Sequence, residues 1–173
     1  QSDQVKAYIS LYHSSESQEH FDFPIITDSV IKSIINELEV KRPNAVQKAI
    51  AILSKQENHE FILQFDFIKT IVKTIDSCDS AQIANFLTNA VDLIRENKKL
   101  LNEFIQDGGA SKLIKLFEKY GATSTKQIIS TLAFFISNKY AQLTSNAFSK
   151  LAPFLLSTDL SCRLNVLKSL HIT

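Results

Sequence analysis

The chain has 173 residues, 45% of them hydrophobic, which suits one domain with a substantial core and is too short for two. Lysine and arginine number 19 against 18 acidic residues, a net charge of +1 that lacks the basic excess of a chain built to bind phosphate backbones. Three glycines and three prolines, where average usage gives roughly a dozen and nine, leave little turn chemistry for hairpins and none for a glycine-rich phosphate loop. The chain is predicted to be nearly all helix.

Taken in chain order, residues 1–27 read as an irregular N-terminal segment, with a short helix near Gln4–Tyr12 and a polar stretch His13–His20. A helix is predicted from Asp28 to Leu38, its apolar face formed by Val30, Ile31, Ile34, Ile35 and Leu38. Ala45–Lys55 repeats the pattern through Val46, Ala49, Ile50 and Leu53. Gln82–Arg95 places Ile83, Phe86, Leu87, Ala90, Val91 and Ile94 at offsets of one helical face. Lys126–Ser137 does so through Ile128, Leu132, Ala133, Phe135 and Ile136, and a fourth such helix starts near Leu160 with Leu164, Leu167 and Leu170.

Three of these helices open with a capping-box spelling: Asn44-Ala-Val-Gln47, Asp79-Ser-Ala-Gln82 and Ser124-Thr-Lys-Gln127. Each of the first three is followed by an asparagine, Asn58, Asn97 and Asn138, spaced 39 and 41 residues apart. Such periods belong to helical repeat arrays. Eight positions after Asn58 and Asn138 stand Asp66 and Asn146, and the middle copy places Gly108 in the same slot. All three types tolerate a left-handed turn between helices.

The stretch Asn97–Glu118, NKKLLNEFIQDGGASKLIKLFE, resembles the core of an armadillo repeat. The resemblance covers roughly Asn44 to the C-terminus. It implies an all-α, right-handed α-solenoid of armadillo-type three-helix repeats over residues 28–173, about three repeats plus partial flanking ones. By size, a single 40-residue copy buries too few side chains to offset its ordering entropy, so copies must stack.

Cys78 and Cys162 lie far apart with no Cys-x-x-Cys, so neither a zinc site nor a disulfide is expected. The four histidines are scattered, no nucleophile–base arrangement stands out, and Gly108-Gly109 lacks phosphate-loop spacing. No catalytic residue, metal or cofactor is expected. The longest apolar run, near Leu132–Ile136, is far short of the ~20 residues of a membrane span, and no signal peptide opens the chain. A cytoplasmic, possibly nuclear, setting without membrane insertion is the expectation. The absence of any methionine suggests a fragment, a processed product or the ordered part of a longer polypeptide.

The resemblance further implies that the third helix of each repeat lines a concave groove that binds a partner segment. The candidate contacts are Lys48 and Lys55, then Asn85, Asn89 and Asp92, then Ser130 and Phe134, then Asn165. Armadillo proteins that bind nuclear-localisation peptides carry a Trp and an Asn four apart on successive third helices. The chain has no Trp, and the equivalent slots read Ile52, Asn89, Phe134 and Val166. Classical import cargo is therefore not expected. The partner is another protein, contributing an extended or helical segment, and the role implied is a non-catalytic scaffold or adaptor, such as a regulator of a chaperone or cytoskeletal machine. Two alternatives stand beside it: a structural segment of a large assembly using its ends and convex face, and a HEAT-like nucleic-acid module using Lys69, Lys73, Lys112, Lys115 and Lys119.

Overall fold

The computed structural model describes residues 26–42, 44–120, 126–157 and 159–170. The expected helix at Gln4–Tyr12, the polar stretch after it and the Ser124 cap lie outside these. Among the described residues the chain is all-helical, with no strand. The helices are α1 (Asp28–Glu39), α2 (Ala45–Leu53), α3 (His59–Ile62), α4 (Phe67–Asp76), α5 (Ala81–Glu96), α6 (Lys98–Gln106), α7 (Gly109–Tyr120), α8 (Lys126–Ser137), α9 (Ser145–Leu151) and α10 (Leu160–Leu170). A 3-10 turn at Gln56–Asn58 leads into α3, and another at Ala152–Leu156, with Pro153 near its start, follows α9.

Helix ends follow local chemistry, though not always at the residue expected. α5 is capped by Ser80, whose Oγ accepts from Ile83 N at 3.2 Å, so the cap falls one residue beyond Asp79. Asn44 stands before α2 without a side-chain cap bond. Of the three supposed left-handed slots, only Gly108 has that backbone, at φ 76°. Asp66 sits at φ −72°, and Asn146 is inside α9, where a left-handed residue would break the helix. Residues 138–144, which start at the third asparagine, form no helix.

Left-handed backbone instead occurs at Lys41 (φ 56°) and Lys139 (φ 59°), just past the ends of α1 and α8. There Arg42 N bonds Glu37 O at 2.9 Å and Lys41 N bonds Leu38 O at 3.2 Å. Tyr140 N bonds Phe135 O and Lys139 N bonds Ile136 O, both at 2.9 Å. Both ends are Schellman caps.

The helices pack in two rows. α1 lies on α4, α4 on α7 and α7 on α9; in the other row α2 lies on α5, α5 on α8 and α8 on α10. One continuous core runs from Val30 to Val166, with Phe67, Phe104, Phe117 and Phe135 fully buried. Gly109 is required by this packing, since a Cβ there would stand 2.5 Å from the buried Phe104 ring.

Four polar side-chain bonds join residues 36 to 41 positions apart. Lys41 Nζ donates to Ser77 O, 36 positions on; Asn97 Nδ2 to His59 Nδ1, 38 back; Lys99 Nζ to Glu60 Oε1, 39 back; and Lys119 Nζ to Cys78 O, 41 back. These separations are close to the 39- and 41-residue spacings of Asn58, Asn97 and Asn138.

α10 departs from its expected register. Leu164 and Leu167, expected in the core, are exposed, and the helix buries Cys162, Val166 and Ser169 instead. The helix carries apolar residues on two faces, and packing against α8 selects the smaller ones.

Candidate functional site

One end of the second row holds a cleft of about 700 Å³ between α8 and α10, closed on a third side by the end of α5. Its lining is mostly apolar: Ala133 and Phe134 from α8 face Leu164 and Leu167 from α10. Arg95, Ser130, Asn165 and Lys168 supply polar groups.

Phe134 is half-buried. Its ring meets Phe135 edge-on, with centroids 5.3 Å apart, and the Arg95 guanidinium lies 5.5 Å from its centroid. Arg95 is held from behind, its Nε 3.1 Å from Asp92 Oδ1, and Asp92 also accepts from the buried Thr131 hydroxyl of α8. A cation fixed over an aromatic face in a partly desolvated site is both an apolar and an electrostatic anchor.

The structure therefore brings together Ser130, Phe134 and Asn165, with Asp92 supporting them through Arg95. Asn85 and Asn89 are half-buried on α5, and neither lines the cleft. Lys48 is a correction: expected on an open face, it is buried at 6% exposure, with Nζ 2.6 Å from Glu37 Oε2 of α1. A buried ammonium needs such a partner, and the pair ties α1 to α2. Lys55 is half-buried just beyond α2, which packs on α5 rather than α8.

Sequence reasoning did not single out Arg95 or Lys168, and it placed Leu164 and Leu167 in the core rather than at a site. Arg95 precedes Phe134 by 39 positions, the separation already shown by the asparagines. That signal was available.

The lysines of α4 and α7 are mostly engaged. Lys69 Nζ lies 3.9 Å from Asp66, and Lys112 Nζ lies 3.2 Å from Asp76. Lys119 donates to Cys78 O at 2.8 Å, and hydrogen bonding with Tyr120 pushes its ammonium pKa up. Lys73 and Lys115 are exposed. Interleaved carboxylates break this surface as a phosphate track. A second, polar cleft of about 480 Å³ is lined by Asp66, Glu103 and Asp107 with Lys69. Burial, then Asp107 and Asp66, raise the Glu103 pKa.

Cys78 and His59 are both buried. Burial is the main cause raising the Cys78 thiol pKa, and Cys78 Sγ lies 3.3 Å from Ser80 O, so the thiol form dominates. Buried His59 is spanned on both sides: Nδ1 accepts from Asn97, and Nε2 bonds Leu53 O at 2.7 Å. Among the described residues no group of three or more His, Cys, Asp or Glu is placed to hold a metal ion, and no helix is long and apolar enough to cross a membrane. Compared with known protein families, curated proteins and solved structures, the chain matches none.

Proposed function

We propose that the protein is a non-catalytic, armadillo-type α-solenoid scaffold that binds a segment of another protein along the row α2–α5–α8–α10. The observation that carries this reading is the cleft: Phe134, Ser130 and Asn165, on two successive helices of that row, converge on one apolar hollow. The constant separation of the inter-copy bonds and the two-row packing support the solenoid reading. An aromatic anchor in a hollow, with a carboxamide that both donates and accepts, suits a peptide segment. A regulatory role in a larger machine belongs to the same reading.

The test is affinity capture with the wild-type chain and the Phe134→Ala/Asn165→Ala variant, followed by identification of the proteins retained. Loss of an aromatic anchor worth about 2 kcal/mol should weaken the specific partner roughly 30-fold, with helical circular dichroism unchanged. Equal capture by both proteins would remove the cleft from the function. A structural segment of an assembly is the second reading, for one reason: among the described residues, Leu160, Leu164 and Leu167 on the outer face of α10 are exposed.

A further inference from the structure

We infer that the outer face of α10, together with the adjoining cleft, is a docking surface for an acidic amphipathic helix of a partner protein. The inference deepens the proposed function and rests on it for the cleft.

Leu160, Leu164 and Leu167 are 60%, 47% and 51% exposed. Their spacing, i, i+4 and i+7, sets them on one face over about 10 Å, close to two helical turns. Leu156, in the turn before α10, is also exposed. Two of these leucines also form a wall of the cleft, so the outer face and the Phe134 hollow are continuous. A stripe of this length matches the i, i+3, i+4, i+7 anchors of a docked helix better than it matches a single extended side chain.

Charge selects the occupant. Arg163 and Lys168 are exposed on the same helix, each within one turn of a stripe leucine, and neither has an ion-pair partner among the described residues. α10 contains no Asp or Glu. The carboxylate just before it, Asp159, caps its first turn by accepting from Cys162 N at 3.1 Å. The cleft lining likewise holds Lys168 and no carboxylate, its Arg95 being already paired with Asp92 behind it. The complement is a helix with leucine-like residues on one face and glutamate or aspartate beside them. Like charges on a basic helix would meet Arg163 and Lys168 without relief.

The test uses the full chain and short fluorescein-labelled peptides with leucines at i, i+3, i+4 and i+7 and with glutamate, glutamine or lysine elsewhere, followed by fluorescence anisotropy. The glutamate peptide should bind at least about tenfold tighter than the lysine peptide. Added salt should shrink that gap. Arg163→Glu with Lys168→Glu, both surface changes, should invert the preference. Equal binding of all three peptides, or a preference that survives the charge reversal, overturns the acidic-helix inference and leaves the scaffold reading intact. Concentration-dependent dimerisation abolished by Leu164→Asp would assign the face to a second copy and overturn it as well. If no peptide binds while Phe134→Ala/Asn165→Ala still loses captured partners, the α10 inference fails alone; if neither readout responds, both fail.

Discussion

Lys41 and Lys139 occupy the backbone position past a helix end that glycine ordinarily takes, and their side chains make the left-handed conformation cost about 1–2 kcal/mol each. Lys139 is held there because Tyr140, the next residue, packs 6.2 Å from Phe135 between ring centroids while its N–H bonds the Phe135 carbonyl. Relief of strain outweighs the greater freedom glycine gives the unfolded chain, so Lys139→Gly should raise stability by about 0.5–1 kcal/mol. A urea midpoint that moved down would show the lysine side chain to be stabilising. Neither lysine stands out in the sequence. Left-handed slots are easily guessed at Gly, Asn and Asp, and here the rule succeeds at Gly108 and fails at Asp66 and Asn146.

At the scale of elements, Asn97 joins two helices with no linker: it ends α5 and caps α6, its Oδ1 accepting from Lys99 N at 2.9 Å and Leu100 N at 3.2 Å. Its Nδ2 donates to His59 Nδ1 at 3.0 Å, so the residue that caps α6 also fastens it to α3. His59→Ala would strip the partner from the Leu53 carbonyl and from Asn97, at a cost of about 2–3 kcal/mol. A double-mutant cycle with Asn97→Ala, followed by urea unfolding, should give a coupling of about 0.5–2 kcal/mol, whereas strictly additive losses would mean the two residues act apart. The asparagine spacing was legible from sequence, and so were the helices α1, α2, α5 and α8. What the three asparagines do was not. Asn58 donates to Ile52 O and Asn138 to Phe134 O, because each finds whichever acceptor the local packing presents. α10 fails for a related reason: two apolar stripes compete, and only the tertiary contact decides between them.

Over the whole molecule, protection is uneven. α5 is covered on both sides by α2 and α8 and buries six residues, whereas α10 meets α8 on one side and buries Cys162, Val166 and Ser169. Amides in α9 and α10 should therefore exchange with solvent at least about tenfold faster than those of α5 under native conditions. Uniform protection from α1 to α10 would mean the array opens only as a unit. Half of the predicted contact set, Ser130, Phe134, Asn165 and Asp92, falls in or beside one cleft; Lys48 does not, since nothing in its place along α2 announces Glu37 of the preceding helix.

Four polar bonds between packed elements join residues 36 to 41 positions apart, and this has a kinetic meaning. Closing a loop costs entropy that grows with the logarithm of its length, and these four closures are of similar size, while the bonds of Thr144 and Lys150 to Glu118 close shorter loops of 26 and 32 positions. No bond named between copies asks the chain's distant parts to find each other first. Contacts limited to neighbouring elements keep each closure local, so the cost of bringing its ends together does not grow with the total length of the chain.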